Sequence, residues 1–341
     1  MSQSTDTNRQ IVLAERPVGE PNSDTLRLAS SDIPVAGTGE MLLRTEYLSL
    51  DPYMRGRMND AKSYADPVAI GAPMVGGTVA QVVSSNLDGF SAGDWVLSFS
   101  GWQDYAVSDG VGVTNMGQNP AHPSWALGIM GMPGLTAYAG LLFIGEPKEG
   151  ETVVTAAATG PVGATVGQIA KIKGCRAVGI AGGAEKCAHA VNELGFDACL
   201  DYREAGLSKK ISQACPTGVD VYFDNVGGKI LESALNFMNE RGRAVCCGAI
   251  SQYDTDTPTG PRNLPGVVVV KRLKMEGFIV MDFAHNDAKA LRALQHWVST
   301  GQIKVTEDIV EGLESAPAAL IGLLAGDNKG KRLVRVAADP S

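Results

Sequence analysis

Residues Glu151–Gly183, ETVVTAAATGPVGATVGQIAKIKGCRAVGIAGG, contain the pattern that decides the fold. A short β-rich run, Thr152 to Ala157, leads through a turn of small residues into a helical pattern. Apolar residues recur in that pattern at spacings of four, three and three, which line one face of a helix: Val162, Val166, Ile169 and Ile172. A second β-branched run follows at Arg176 to Ala181. The stretch therefore predicts one βαβ unit.

The turn between the first run and the helix, Ala158 to Gly163, has the composition of an anion site. A helix that begins there presents unpaired backbone N–H groups and the positive end of its dipole to a ligand. Gly160 would let the backbone approach a pyrophosphate, and Gly163 would let the helix pack closely on its strand. The pattern is one glycine short of the dinucleotide fingerprint, because Ala158 stands at its first glycine position. A merely structural turn is the alternative.

Length and composition indicate a two-domain α/β protein. The chain has 341 residues, of which 44% are hydrophobic, 19% are charged and 41 are glycine. Its formal net charge of −8 argues against nucleic acid or an anionic membrane as a main partner. We therefore expect neither a nucleic acid nor a membrane as partner.

The terminal sequences and the cysteines predict a cytoplasmic protein. The first ten residues, MSQSTDTNRQ, lack the apolar core of a signal peptide, and the last five, AADPS, are no lipidation signal. No apolar run approaches the length of about 18 residues that a membrane helix needs. The six cysteines show no C-x-x-C spacing, so we expect reduced thiols and no disulfides.

The front of the chain, residues 9 to 150, is predicted to be rich in β-structure. Its strand candidates are Ile11–Leu13, Thr25–Leu28, Met41–Leu48, Gly77–Val83 and Trp95–Ser98. Short strands at this spacing favour a partly closed barrel or a coiled sheet. From Trp125 to Gly145 the pattern becomes helical, with Met132-Pro133-Gly134 predicted to break the helices.

From Glu151 onward, predicted strands and helices alternate strictly. Strands are predicted at Ala198–Asp201, Val219–Asn225, Arg243–Cys247 and Leu273–Val280, and helices at Ala184–Leu194, Ala205–Cys215, Lys229–Met238, Ala288–Val298 and Ala316–Leu324. Pro258–Pro265 is predicted to be a proline-rich loop. Alternation of this length predicts a doubly wound parallel sheet covered by helices on both faces.

Several segments together resemble one family, the zinc-independent medium-chain dehydrogenases/reductases, and within it the alkenal double-bond reductases. This branch includes proteins of the prostaglandin reductase, leukotriene hydroxydehydrogenase and curcumin reductase types. The most specific matches are Asp51-Pro52-Tyr53-Met54-Arg55, Gly131-Met132-Pro133-Gly134-Leu135-Thr136-Ala137-Tyr138 and Phe223-Asp224-Asn225-Val226-Gly227-Gly228. The matching segments span most of the chain.

The resemblance implies a particular division of the chain. Residues 1–127 would form a β-rich, partly closed barrel of the GroES-like type that carries catalytic groups. Residues 128–300 would form a Rossmann-type dinucleotide-binding domain, and residues 301–341 would return to the catalytic domain. Relatives are commonly homodimers built through the nucleotide-binding domain, and the apolar strand predicted at Leu273–Val280 would be the pairing edge.

The end of the second strand of the βαβ unit predicts NADPH rather than NADH as cofactor. NAD-preferring sites place an acid there, whereas this chain has Ala181-Gly182-Gly183. The resemblance implies that Lys186 and Tyr202 bind the adenosine 2′-phosphate, and Arg203 would add a further positive charge.

Further contacts with NADP(H) are implied by the resemblance, residue by residue. Gly160, Pro161, Val162 and Gly163 would bind the pyrophosphate. Asn225 would contact the cofactor at the end of its strand. Groups at the nicotinamide side would be Cys247, Gly248, Ala249, Ile250, Ser251, Tyr253, Phe278, Ile279 and Val280, with Asn328 reaching in from the C-terminal return. Ligands bind at the carboxyl ends of the strands in such sheets, which agrees with Asn225 and Cys247.

No metal site is predicted. Zinc members of the superfamily use cysteine, histidine and acidic ligands in the catalytic domain. Here no cysteine precedes Cys175, and His122 is the only histidine in the front half.

The resemblance implies reduction of the C=C bond of lipophilic α,β-unsaturated ketones or aldehydes by hydride transfer to the β-carbon. Negative charge then develops on the carbonyl oxygen, and a phenol donor would stabilise it. Tyr253 is the first candidate, because it matches the tyrosine given that role in relatives. Tyr53 and Tyr64 are second candidates as pocket residues.

Two other functions remain open from the sequence. One is quinone reduction by an enzyme of the same superfamily, and the other is a nucleotide-binding protein without turnover. The resemblance also allows oxidation of a secondary alcohol with NADP as a side activity.

Overall fold

The computed structural model describes residues 7–255 and 257–337, and these form two compact units. The first unit contains the described residues up to Leu127 and those from Glu307 onward. The second unit contains Gly128–Thr306. The roles assigned to residues 1–127, 128–300 and 301–341 stay predictions.

The elements are numbered in chain order. The strands are β1 (Thr7–Leu13), β2 (Leu26–Asp32), β3 (Met41–Ser49), β4 (Thr78–Ser85), β5 (Trp95–Ser98), β6 (Tyr105–Ser108), β7 (Thr114–Gly117), β8 (Thr152–Ala156), β9 (Arg176–Ala181), β10 (Ala198–Asp201), β11 (Val219–Asp224), β12 (Met238–Cys246), β13 (Lys274–Gly277), β14 (Glu307–Glu311) and β15 (Lys331–Arg335). The α-helices are α1 (Tyr53–Arg57), α2 (Met132–Ala139), α3 (Pro161–Ile172), α4 (Ala184–Asn192), α5 (Leu207–Ala214), α6 (Gly228–Phe237), α7 (Leu264–Lys271), α8 (Asp287–Ser299) and α9 (Ala316–Leu324).

The second unit is built on a six-stranded sheet with the order β10-β9-β8-β11-β12-β13. Every pairing in this sheet is parallel, and this order is that of the doubly wound dinucleotide-binding fold. All residues of β8 are buried, as expected for a central strand with helices on both faces. The predicted α/β class and the doubly wound parallel sheet are confirmed.

The first unit is rich in β-structure, as predicted. Its seven-stranded sheet has the order β14-β15-β3-β4-β5-β7, and β6 pairs with β3 in addition. β1 and β2 form a separate antiparallel pair. The C-terminal return enters this sheet through β15, where Leu333 pairs with Ser49. One core cluster of the unit includes Leu50, Met54 and Trp102, all of them 0–1% exposed.

The predicted helix break at Met132-Pro133-Gly134 was wrong. These residues begin α2 rather than break a helix. Proline is tolerated in the first turn of a helix because its missing N–H would have no intrahelical partner there. Helix α2 continues into a π-helix, Gly140–Gly145.

The region after the proline-rich loop also differs from the prediction. Helix α7 starts at Leu264, inside the segment predicted to be a loop. Strand β13 ends at Gly277, and a 3-10 helix, Val280–Asn286, follows where the strand was predicted to continue. Strands β6 and β7 were not predicted.

Candidate functional site

The turn between β8 and α3 has the geometry of an anion site. Gly160 is the N-cap of α3, with no side-chain cap, and Pro161 occupies the first turn. The first N–H groups of a helix have no intrahelical partner, and here they include those of Val162 and Gly163. A Cβ on Gly163 would lie 2.3 Å from the carbonyl oxygen of Ala157, whereas a Cβ on Gly160 would lie 3.4 Å from the same atom. Gly163 is therefore required by packing, and the space at Gly160 is open to a ligand.

A second group of candidate residues surrounds the turn between β9 and α4. A Cβ on Gly182 would lie 3.0 Å from both the Tyr202 hydroxyl oxygen and Arg203 Nε. Both side chains therefore lie against Gly182. Lys186 is in the first turn of α4, which starts at Ala184. The structure brings the phenol and the guanidinium together over a glycine, and this arrangement suits a phosphate group.

Asn225 lies at the carboxyl end of β11, next to the end of β8. Its amide nitrogen donates a hydrogen bond to the carbonyl oxygen of Ala156 at 2.9 Å. The preceding Asp224 is buried, and its Oδ1 accepts hydrogen bonds from the N–H groups of Val226 and Gly227 at 3.0 and 2.9 Å. Burial raises the pKa of Asp224, and these two N–H groups oppose that effect. Asp224 thus shapes the turn that positions Asn225.

Residues 247–253 follow β12 at the same edge of the sheet. The N–H groups of Cys247 and Gly248 donate to the carbonyl oxygen of Asp224 at 2.9 and 3.1 Å. Burial, together with the nearby Asp224 and Cys246, raises the pKa of the Cys247 thiol to about 12. Cys247 is therefore a neutral thiol at pH 7, and not a thiolate nucleophile.

Tyr253 follows the short 3-10 helix Ile250–Gln252 and turns back toward β12. Its hydroxyl oxygen accepts a hydrogen bond from the Ala249 N–H at 3.4 Å. The same oxygen would lie 3.4 Å from a Cβ on Gly248. The phenol thus lies against residues 248 and 249, which follow β12. In the same segment, the Ser251 hydroxyl donates to the carbonyl oxygen of Val226 at 2.6 Å.

The segment Phe278–Val280 follows β13. The Phe278 ring packs edge-on against Phe223, with ring centroids 6.4 Å apart. It also lies against Gly140, where a Cβ would be 2.6 Å from Phe278 Cζ. The aromatic ring of Phe278 therefore belongs to the packing of the second unit, while Ile279 and Val280 lead from β13 into the 3-10 helix Val280–Asn286.

The remaining candidates, Tyr53, Tyr64 and Asn328, belong to the first unit. Tyr53 begins α1 and is partly buried, and its pKa is raised by burial and by the negative charge of Asp51. Tyr64 is 61% exposed. Asn328 is buried, and its amide nitrogen donates to the carbonyl oxygen of Gly330 at 2.9 Å.

A buried ion pair next to Tyr53 was not predicted. Lys331 Nζ donates to Asp51 Oδ1 at 2.5 Å and to the carbonyl oxygen of Leu50 at 2.9 Å. The side chains of Lys331 and Asp51 are 3% and 8% exposed. The sequence could not predict this pair, because Lys331 is 280 residues from Asp51. Its one local sign was that Asp51 lies in a segment that matches the family.

Among residues 7–255 and 257–337, no group of three or more His, Cys, Asp or Glu side chains is arranged to hold a metal ion. Within the same ranges, no helix is long and apolar enough to cross a membrane. All six cysteines are free.

Two family models match the chain. Residues 9–116 match the N-terminal domain of oxidoreductase, and residues 161–296 match the model described as zinc-binding dehydrogenase. Together they cover most of both units.

Individual relatives are similar over nearly the whole chain. The NADPH-dependent curcumin reductase of Escherichia coli (strain K12) is 52% identical over 99% of this chain and 100% of its own length. Prostaglandin reductase 1 of Rattus norvegicus is 43% identical over 93% of this chain and 95% of its own. The crystal structure of CurA in complex with NADPH from Vibrio vulnificus is 52% identical, has a TM-score of 0.94, and covers 97% of this chain and 99% of that chain. The chain therefore belongs to the zinc-independent medium-chain dehydrogenases/reductases, in the branch of the alkenal double-bond reductases.

Proposed function

We propose that this protein uses NADPH to reduce the C=C bond of α,β-unsaturated ketones and aldehydes. The observation that carries the proposal is the carboxyl edge of the six-stranded sheet. There the open N-terminus of α3, the amide of Asn225 and the phenol of Tyr253 follow β8, β11 and β12, which are neighbours in the sheet. The names of the relatives, curcumin reductase and prostaglandin reductase, support the same chemistry.

The described residues fit NADPH. The N–H groups at the start of α3, from Gly160 to Gly163, would bind the pyrophosphate. Lys186 and Tyr202 would hold the 2′-phosphate, with Arg203 beside them. The groups at the nicotinamide side would be Asn225, residues 247–251, Tyr253 and residues 278–280, and Asn328 stays a further candidate from the first unit.

When bound, NADPH supplies the hydride for such a reduction. The chain's own task is to position the carbonyl group and to stabilise the negative charge that develops on its oxygen. The Tyr253 hydroxyl is the proposed donor to that oxygen, because it lies just after β12 at the carboxyl edge of the sheet, where its oxygen is 3.4 Å from the Ala249 nitrogen. Tyr53 and Tyr64 are second candidates for contact with the substrate.

Oxidation of NADPH in the presence of a panel of enones, enals, quinones and secondary alcohols tests the function, with NADH as the parallel cofactor. We expect turnover with enones and enals, and a preference for NADPH. Turnover of quinones alone would select the quinone reductase alternative. Binding of NADPH without oxidation across the whole panel would select the nucleotide-binding protein.

Alanine substitutions of the two glycines in the turn between β8 and α3 should have different effects, one on stability and the other on NADPH binding. Gly163→Ala should lower the free energy of unfolding by about 1–3 kcal/mol, because the new methyl group meets the Ala157 carbonyl at 2.3 Å. Gly160→Ala should leave stability nearly unchanged and weaken NADPH binding, because its methyl group meets no protein atom closer than 3.4 Å but occupies the space for the pyrophosphate. Urea unfolding and NADPH titration of both variants separate the effects, and equal losses of binding at unchanged stability would contradict this account.

We also propose that the protein forms a homodimer in the cytoplasm. β13 is the last strand in the sheet order, and the apolar side chains of Val269 and Val270 on α7 are 72% and 70% exposed. An exposed strand edge next to apolar side chains favours pairing with a second copy. Six free cysteines fit a reducing compartment. Analytical ultracentrifugation would give the oligomeric state.

A further inference from the structure

Asp201, at the carboxyl end of β10, makes contacts that join two turns of the second unit. Its Oδ1 accepts a hydrogen bond from the Gly183 N–H at 2.8 Å and another from the Arg203 N–H at 2.9 Å. Strand pairing places Asp201 opposite Ala181, the last residue of β9. One carboxylate oxygen therefore links the turn that leads into α4 with the turn that follows β10.

These two turns carry the groups that surround Gly182. Gly183 is the N-cap of α4 and has a φ of 98°, so the peptide that Asp201 holds sets the start of the helix that carries Lys186. The second peptide that Asp201 holds is that of Arg203, directly after Tyr202. The side chains of Tyr202 and Arg203 lie against Gly182. Asp201 thus fixes the backbone from which all three polar side chains project.

We propose that Asp201 is a positioning residue that preorganises the 2′-phosphate site and thereby supports the preference for NADPH over NADH. This inference rests on the proposed role of Lys186 and Tyr202. Preorganisation raises affinity because the ligand then does not have to order the turns on binding. A single carboxylate that holds both turns is well placed to supply it.

The negative charge of Asp201 would otherwise count against this role. A carboxylate near a phosphate repels it, and an acid that binds the ribose hydroxyls favours NADH. Here, however, Asp201 Oδ1 accepts hydrogen bonds from two backbone N–H groups. Burial alone would raise the pKa of Asp201, but these N–H groups, with Lys210 and Arg203 nearby, lower it. If Asp201 positions the 2′-phosphate site, its removal should weaken the preference for NADPH. If its charge repels the phosphate or binds the ribose, its removal should strengthen that preference.

Binding measurements on two variants separate these roles. Asp201→Ala removes both hydrogen bonds and the charge, and Asp201→Asn removes the charge but keeps an acceptor oxygen. Dissociation constants for NADPH, NADH, 2′,5′-ADP and 5′-AMP are measured by isothermal titration calorimetry. For Asp201→Ala we expect affinity for NADPH and 2′,5′-ADP to fall about tenfold, as for the loss of a hydrogen bond to a charged group. Affinity for NADH and 5′-AMP should change much less. Asp201→Asn should keep most of the NADPH affinity that Asp201→Ala loses.

The matched control is Asp197, just before the other end of β10. Its carboxylate also accepts a backbone N–H from the β9 strand, that of Ala177, at 2.7 Å. Asp197→Ala should lower the melting temperature without changing the ratio of NADPH to NADH affinity. If Asp201→Ala raises that ratio, or lowers both affinities equally, the positioning role is overturned. Lys186→Ala is measured in parallel to test the proposed 2′-phosphate site itself. An unchanged ratio of NADPH to NADH affinity in that variant would place the 2′-phosphate elsewhere, and would overturn both the role of Lys186 and the positioning role of Asp201.

Discussion

Tyr253→Phe should lower kcat for enone reduction about 100-fold, which is the usual effect of removing one donor to a developing oxyanion. The variant keeps the aromatic ring and loses only the hydroxyl group. The hydroxyl oxygen accepts a long hydrogen bond from the Ala249 N–H, at 3.4 Å, and the loss of this contact should disturb the fold little. NADPH affinity should therefore change by less than about threefold, since a contact this long and weak contributes little to the geometry of the site. Steady-state kinetics with saturating NADPH and a titration of NADPH fluorescence measure the two quantities.

Tyr202→Phe provides the matched comparison, because it also removes a tyrosine hydroxyl, at the opposite end of the proposed cofactor site. The Tyr202 hydroxyl lies against Gly182 at the turn after β9. Its loss should raise KM for NADPH and affect kcat less. The two variants thus separate chemistry from cofactor binding. An unchanged kcat in Tyr253→Phe would remove Tyr253 from the mechanism and make Tyr53 the next phenol to test.

The sequence predicted the second unit well because local patterns and the global fold agree there. The boundaries of β9 and β10 match the prediction, Arg176–Ala181 and Ala198–Asp201, since β-branched and apolar runs end at polar or glycine-rich turns. Helix α7 was missed for the opposite reason. Its sequence, LPGVVVVK, is rich in β-branched residues, yet it forms a helix that starts with proline in its first turn. Tertiary context overrides propensity there.

The candidate site could be predicted only where its residues follow strands. Asn225 and residues 247–251 follow β11 and β12, so the topology of a parallel sheet brings them to one edge. Contacts that depend on distant residues leave no such pattern. The hydrogen bond from Gly183 to Asp201 spans 18 positions, and the Lys331–Asp51 pair spans 280. Neither spacing corresponds to a helical or strand period.

Asp51→Asn should lower the free energy of unfolding by about 3–5 kcal/mol at pH 7, because it removes the carboxylate that is hydrogen-bonded to the buried Lys331 ammonium. Both side chains are almost fully buried, at 3% and 8% exposure. The control is the exposed pair of Lys304 and Glu193, with side chains 57% and 59% exposed and a distance of 3.3 Å. Glu193→Gln should cost less than about 1 kcal/mol. Urea unfolding measures the loss of stability in both variants. Similar losses in Asp51→Asn and Glu193→Gln would contradict the structural importance of the buried pair.

The pH dependence of the Asp51→Asn variant follows from the burial of Lys331. Burial lowers the pKa of Lys331, and the charge of Asp51 opposes that effect. Between the lowered pKa and the ordinary value of about 10.4, the unfolded chain binds more protons than the folded one, so stability rises with pH in that range. Without Asp51 the folded-state pKa falls further, and the range extends to lower pH. The stability deficit of Asp51→Asn should therefore shrink as the pH rises from 7 toward the ordinary lysine pKa of about 10.4.

A double variant, Asp51→Leu with Lys331→Met, should recover most of the lost stability, because it removes both charges of the buried pair.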